Sequence, residues 1–307
     1  MQIVLNSAQQ KFAQVQHAWL ATAGSQARSH FLPYKALKGH IHVLEAGAGD
    51  PLLLLHGGNA FSALWEPLLF ALQSDHHLIA PDRFNCGLST PINYKKLNLI
   101  EHAIHFMDAV FDHYGFSSVN VMGNSLGGYW AMLYALHKPE RINKIILIGA
   151  PGGTQAPPFI LRLSSLPLIN QFLFYLMMRA PDSTEKLFER ALVADIKHLP
   201  PAIFPLMHLG LRLPGAQKAW LDILEMTCTV KNIKPQYWLL DKLPQIQHKT
   251  LLLWGDKDVF GTQSQAREVQ SALPHAELNM IPNAGHMPWL DQGEYCARAI
   301  REFLVVK

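Results

Sequence analysis

Residues 119–137 read VNVMGNSLGGYWAMLYALH. An apolar run closes on Gly123-Asn124-Ser125-Leu126-Gly127-Gly128, and a helix-forming stretch follows at once. The order is strand, tight turn, helix, with a serine at the turn. A G-x-S-x-G turn of this kind bends the backbone so sharply that the serine hydroxyl is pushed out above the sheet, where it can act as a nucleophile. Gly123 and Gly127 fit because strand and helix approach too closely there for larger side chains. By itself the motif is weak: a chain of 307 residues carries it by chance about one time in ten. Its meaning depends on its surroundings.

Working outward, the same kind of unit recurs. Residues 39–45 (GHIHVLE) alternate apolar and polar positions and read as an early strand, followed by a turn at residues 47–50. Residues 51–56 (PLLLLH), 77–81 (HLIAP) and 144–148 (KIILI) are short apolar runs, which suit parallel strands covered on both faces. Helical stretches at 61–72, 97–114 and 125–137 alternate with them, implying right-handed crossovers and a parallel sheet. Residues 1–25 read as a helix packed on the body, with Phe12, Val15, Trp19 and Leu20 on one face. From 151 to about 247 the alternation stops, leaving helix-like apolar stretches punctuated by proline. It resumes with a strand at 250–254 (TLLLW), a helix at 263–273, a strand at 277–281 and a last helix at 293–305. The late sheet elements need the early ones to bury their faces. The expectation is therefore one α/β core, residues 1–150 and 248–307, interrupted by a helical insertion over residues 151–247.

A serine hydroxyl is a poor nucleophile near neutral pH unless a base takes its proton and a further group holds that base. The strand ending at Trp254 runs into Gly255-Asp256-Lys257-Asp258, and the strand ending at Ile281 runs into Pro282-Asn283-Ala284-Gly285-His286. Both loops follow the carboxyl ends of strands, the edge at which open α/β sheets bind ligands. Asp256 and Asp258 compete for the acidic role. Acyl chemistry also needs two N–H groups aimed where negative charge develops. Leu126 is placed to give one, at a helix N-terminus where N–H groups are free. The loop His56-Gly57-Gly58-Asn59 is the source of the other.

Taken together, these segments resemble the α/β-hydrolase superfamily, in the subgroup with a helical cap inserted after the strand that follows the nucleophile helix. The matching residues are His56-Gly57-Gly58, Asp82-Arg83 with Gly87 and Ser89, the run from Gly123 to Gly128, Gly255 to Asp258, and Gly285-His286, within residues 39–155 and 248–305. The resemblance implies a mostly parallel central sheet with helices on both faces and an inserted helical cap. It implies Ser125 as nucleophile, His286 as base and Asp258 as the acid, since the family's acid stands three residues after the glycine. Asp256 then caps or braces its loop. The loop Gly149-Ala150-Pro151-Gly152-Gly153 holds no carboxylate, so an acid one strand earlier drops out. Gly58 and Leu126 become the oxyanion-hole donors, with Asn59 close behind Gly58. His56 and the loop 82–89 read as structural. Trp65 and Trp289 read as packing residues, Trp289 lying near enough to His286 to line a pocket.

The reaction implied is hydrolysis of an ester or related acyl bond through an acyl-enzyme. Two alternatives within the family stay open: carbon–carbon bond hydrolysis of ring-cleavage diketo acids, and acyl transfer. GNSLGG and GAPGG resemble the carbon–carbon subgroup, while the loop at 56–59 is shorter than that subgroup's glycine-rich loop. Arg162, Arg179 and Arg190 are candidates to hold the acid group of such a substrate. Serine at the turn argues against dehalogenase and epoxide-hydrolase relatives, which use aspartate there. A complete set of three argues against a ligand binder without turnover. Residues 159–178 and 203–213, rich in Phe, Leu, Ile and Met, suit a lipophilic pocket, with Met177, Met178, Met207 and Met226 as adaptable walls.

Composition bounds the rest. Apolar residues make up 49% and charged residues 16%, which excludes a disordered chain. The net charge of +3 is spread out, Lys95-Lys96 being the sole adjacent basic pair, so a small-molecule substrate is the expected partner and nucleic acid is not. Sixteen histidines show no ligand spacing, and most are expected on the surface; neither metal nor cofactor is implied. Three cysteines without a C-x-x-C pair fit a reducing compartment. No signal peptide is read at the start, and no run of 18 apolar residues occurs, so the expected location is cytoplasmic with no integral membrane segment. A homodimer stays open.

Overall fold

The apolar runs become one eight-stranded sheet in the computed structural model, which describes residues 3–22, 24–149, 152–179 and 182–305. The strands are β1 (Arg28–Tyr34), β2 (Gly39–Ala46), β3 (Asp50–Leu55), β4 (His76–Pro81), β5 (Val119–Asn124), β6 (Ile142–Ile148), β7 (Thr250–Gly255) and β8 (Ala276–Ile281). Their order is β1-β2-β4-β3-β5-β6-β7-β8. β1–β2 and β2–β4 pair antiparallel, and every pairing from β4 to β8 is parallel. The fold is thus the mostly parallel α/β arrangement that the alternating runs require.

Between the strands stand α1 (Ser7–Thr22), α2 (Glu66–Leu72), α3 (Leu99–Tyr114) and α4 (Leu126–His137). Between β6 and β7 come α5 (Phe159–Leu163), α6 (Ile169–Arg179), α7 (Ser183–Leu187), α8 (Ile203–Gly210) and α9 (Ala216–Thr227). In that segment strand pairing is confined, among the described residues, to a single Cys228–Ile233 bridge. Its expected start at residue 151 lies outside the described residues. The chain closes with α10 (Gln263–Ala272), α11 (Pro288–Asp291) and α12 (Gly293–Val305). No described helix is long and apolar enough to cross a membrane.

The strand period of two divides the core. Leu52 and Leu54 of β3 face a cluster with α1, α2 and α12, through Phe12, Leu68 and Ile300; Leu53 and Leu55 face a second cluster with α3 and α4, through Phe106 and Met132. The uninterrupted apolar runs follow from this, since both faces are covered.

Two details depart from the sequence reading. β1 carries no apolar run that marks it as a strand in the sequence. It is the edge of the sheet, paired to β2 alone, and an edge tolerates Pro33, which removes a ladder donor. The helix expected over 61–72 is divided into a 3₁₀ turn, Ser62–Trp65, and α2, whose first turn holds Pro67. Proline has no N–H to give and fits only the first turn of an α-helix.

Candidate active site

Ser125 is the one residue between β5 and α4, with φ 51° and ψ −113°. A non-glycine residue held there costs on the order of 1–3 kcal/mol, which surrounding structure must impose. It is imposed by contact. A Cβ on Gly123 would stand 2.6 Å from the Gly127 backbone, and one on Gly127 would overlap the Leu55 carbonyl. The Ser125 N–H donates to the Ile148 carbonyl at 3.2 Å, and its own carbonyl accepts from Tyr129 and Gly152 N–H, each at 3.0 Å. Leu126 opens α4, in the turn whose N–H groups have no intrahelical acceptor.

His286 follows β8 and is buried. Its Nδ1 lies 3.0 Å from Asp258 Oδ2 and 3.2 Å from Oδ1. Asp258 has a fully buried side chain and also accepts from the Phe260 N–H at 2.7 Å. Nδ1 thus faces the carboxylate as donor, and in the neutral ring that tautomer leaves the lone pair on Nε2. The Phe260 ring lies 4.5 Å from the imidazole.

The loops carrying Asp258 and His286 touch. A Cβ on Gly255 would overlap the Gly285 and Ala284 carbonyls, and one on Gly285 would stand 2.7 Å from the Val193 backbone, so each loop needs its glycine against a different neighbour. Asp256 accepts from the Ala284 N–H at 3.2 Å and braces this contact. Asp291 ties the same loop to the helical segment: its carboxylate accepts from Gly285 N–H at 2.8 Å and from Ala194 N–H at 2.9 Å. Burial pushes the Asp291 carboxyl above its ordinary value, against the pull of these donors.

The third loop is set by His56. Its Nε2 accepts from the Arg83 N–H at 2.9 Å, so Nδ1 is the protonated nitrogen and donates to the Gly57 carbonyl at 2.9 Å. Burial, followed by the Arg83 charge, lowers the His56 pKa to about 3, so the ring is neutral at physiological pH. Arg83 Nη2 donates to the same Gly57 carbonyl at 2.5 Å. A trans peptide is planar, with C=O and N–H opposed. Two donors pinning the Gly57 carbonyl therefore turn the Gly58 N–H the opposite way. Against Gly58 stands Trp220 of α9, so closely that a Cβ there would collide with its ring.

A cavity of about 370 Å³ lies between the strand ends and the helical segment. Gly57, Gly58, Ser125 and His286 line one side, with Leu161, Phe174, Met207 and Trp220 opposite. A second cavity, of about 130 Å³, is lined by both Ser125 and Leu126. The structure thus brings Ser125, His286 and Gly58 to one space, Leu126 to the adjoining one, and Asp258 behind His286. Of the four methionines, Met207 lines the larger cavity; Met178 and Met226 pack elsewhere, and the Met177 side chain lies outside the described residues. Trp289 does not line it. α11 turns the indole into the core, stacked 4.3 Å from Trp65 with Nε1 donating to the Leu64 carbonyl. No Lys or Arg is among the described residues lining the cavity. Arg162 donates to the Lys231 carbonyl at 2.6 Å and Arg179 to the Tyr175 hydroxyl at 2.7 Å. Among the described residues no group of three or more His, Cys, Asp or Glu is placed to hold a metal ion.

Two positioning residues escaped the sequence reading. Asn124 sits in the unrestricted position of G-x-S-x-G, yet its Nδ2 donates to the Ile148 carbonyl at 2.9 Å and the His286 carbonyl at 3.2 Å, linking turn to base. Asp291 carries no local signal. Only its distance of five residues from His286 could have drawn notice.

The family model described as alpha/beta hydrolase fold matches residues 50–292. Haloalkane dehalogenase 2 of Mycobacterium tuberculosis (strain ATCC 25618 / H37Rv) is 28% identical over 279 residues, covering 88% of this chain and 93% of that protein. The 2-hydroxy-6-oxo-6-phenylhexa-2,4-dienoate hydrolase of Burkholderia cepacia is 26% identical over 280 residues, covering 86% and 91%. Carboxylesterase YbfK of Bacillus subtilis (strain 168) is 27% identical over 272 residues, covering 87% and 84%. The crystal structure of carboxylesterase CesB (YbfK) from Bacillus subtilis aligns with a TM-score of 0.77 and 22% identity, covering 98% of this chain and 99% of that one.

Proposed function

The chain belongs to the alpha/beta hydrolase fold family, and from that premise we propose that it is a serine hydrolase cleaving an ester or related acyl bond of a small, lipophilic substrate. The observation that carries the reading is the strained Ser125 opening on a cavity shared with His286, whose Nδ1 is held by a fully buried Asp258. In this reading residues 151–247 form a cap that supplies the apolar walls.

The chemistry follows from the groups. Ser125 Oγ attacks the carbonyl carbon while His286 Nε2 takes its proton, and Asp258 stabilises the resulting imidazolium. The carbonyl oxygen becomes an oxyanion received by the N–H groups of Gly58 and Leu126. His286 returns the proton to the leaving alkoxide, the C–O bond breaks, and an alcohol departs from the acyl-enzyme. Water then attacks the acyl carbon, giving one proton to His286. Collapse releases the acid and restores the proton to Ser125.

Similarity to a carboxylesterase supports the ester reading. Similarity to a dienoate hydrolase brings in carbon–carbon cleavage, but such an acidic substrate calls for a cation, and none of the described lining residues is Lys or Arg. The dehalogenase similarity carries the fold; at the turn this chain has Ser125, where the family resemblance gives dehalogenases an aspartate. Acyl transfer shares every step up to the acyl-enzyme. The test is a fluorophosphonate probe with short p-nitrophenyl esters: label on Ser125 by peptide mapping, and turnover lost in Ser125→Ala with the fold retained. Full turnover in that variant defeats the reading.

A further inference from the structure

Opposite the groups at the strand ends, the cavity wall carries the Ser164 hydroxyl, the Asn170 amide and the Trp220 indole. Asn170, the second residue of α6, is 1% exposed, and its Oδ1 is buried without a hydrogen-bond partner. Its orientation is fixed by chemistry. The Asn170 amide lies 2.7 Å from Glu225 Oε1, and the other Glu225 oxygen, Oε2, accepts from Lys95 Nζ at 2.6 Å. Burial pushes the Glu225 carboxyl up, but the hydrogen bonds from Lys95 and Asn170 outweigh it and hold the group below its ordinary value. Glu225 is therefore an acceptor only, and the atom of Asn170 turned to it must be the NH₂. The carbonyl oxygen is left on the other side. Ser164 is committed likewise: its hydroxyl donates to the Ile160 carbonyl at 2.8 Å, so toward the cavity it too can only accept.

A largely apolar wall with a buried, unpartnered acceptor selects its ligand. A carboxylate or phosphate tail brings acceptors against acceptors, and a plain alkyl tail leaves Oδ1 unpaired. Resting on the serine-hydrolase reading, we infer that Asn170 is a specificity-determining residue, and that the substrate is an ester whose apolar tail carries a hydroxyl which donates to Asn170 Oδ1. Lys95 and Glu225 act through Asn170 by fixing its amide, and so are positioning residues.

The experiment compares ester pairs of increasing chain length, each plain or bearing one hydroxyl, on the acyl side in one series and the alcohol side in the other. In the wild-type protein one hydroxylated series exceeds its plain partners by about tenfold in kcat/KM at the matching length. Asn170→Leu removes that preference, so that hydroxylated and plain esters of the matching length have kcat/KM values within about twofold of each other. Glu225→Gln, which keeps the side-chain shape, lets the facing amides exchange roles and also loses the preference, a result that simple loss of packing does not produce. Absence of a hydroxyl preference at every length in both series, or a preference unchanged in both variants, overturns the assignment. Absence of all ester turnover breaks the hydrolase reading instead. The assignment is then judged by calorimetric binding of the matching hydroxyalkyl ethers against plain ethers, with equal affinities overturning it.

Discussion

Among the described residues, two sets of serine, histidine and aspartate invite comparison. One is Ser125, His286 and Asp258 at the carboxyl edge of the sheet. The other joins Ser29, His42 and Asp82 across β1, β2 and the loop after β4, with Ser29 Oγ 2.8 Å from His42 Nε2 and His42 Nδ1 2.7 Å from Asp82 Oδ2. The His42–Asp82 contact, at 2.7 Å, is shorter than the 3.0 Å from His286 to Asp258. What separates the two is placement. Ser29 lies in regular strand pairing with Leu44, not on a strained turn. Asp82 is occupied by backbone donors as well, Ser62 N–H at 2.6 Å and Leu88 N–H at 3.0 Å, and its pair with His42 is fully buried. It holds the loop 82–89 against the early strands. The 370 Å³ cavity is lined by Ser125 and His286, and by neither Ser29 nor His42. A relay of the right residue types is thus a brace in one place and a candidate for catalysis in the other, according to strain, cavity and free N–H donors.

The largest expected effect separates the two serines. Ser125→Ala lowers ester turnover by about 10⁴-fold or more, whereas Ser29→Ala leaves it within about twofold. Steady-state kinetics on both variants checks this, and comparable losses would erase the distinction.

The two aspartates give the next contrast, in opposite quantities. Asp258→Asn removes the group that holds the imidazole tautomer and lowers kcat by about 10⁴-fold, with a small change in melting temperature. Asp82→Asn breaks a buried pair and costs about 3–5 kcal/mol of stability, while turnover per folded molecule is kept. Denaturant titration beside kcat measures both. A stable, inactive Asp82→Asn protein would contradict the brace.

Smaller effects appear in the pH dependence of stability. Burial alone pushes the Asp82 carboxyl up, but His42 and the N–H donors hold it below the ordinary carboxylate range. Stability from this group is present above the unfolded carboxylate pKa and is lost as pH falls through the folded value, so Asp82→Asn flattens the acid limb. Glu66, four residues after Ser62, behaves oppositely. Burial pushes its carboxyl up to about 7, and Oε1 has no hydrogen-bond partner. Between the unfolded carboxylate pKa and about 7 the native state keeps a proton that the unfolded chain has released, so stability falls as pH rises over that interval. Glu66→Gln removes this fall and gains about 1–2 kcal/mol at pH about 8 relative to wild type, measured by chemical unfolding across pH. An unchanged difference at all pH values would show that Glu66 stays ionised.

The strands were legible because both faces of β3 to β7 are covered, which forces continuous apolar runs such as Leu52–Leu55. β1 was not, because an edge strand with Pro33 carries no such run. Five of the sixteen histidines, His42, His56, His76, His102 and His286, are buried, and composition could not say which. Trp289, near His286 in sequence, turns away into the stack with Trp65.

By itself the sequence determined the fold class and named Ser125, Asp258, His286, Gly58 and Leu126 as candidates. Those features are local: glycine marks where backbones nearly touch, as Gly123 meets Gly127 and Gly255 meets Gly285, and an apolar run marks a strand with two covered faces. Only the tertiary structure decided which groups share a space. It set Ser125 and His286 on one cavity, made His42 and Asp82 a brace, and turned the Asn170 amide toward Glu225. A hydrogen bond across 55 residues of chain leaves no periodic trace, because its partners are chosen by packing and not by neighbours in sequence.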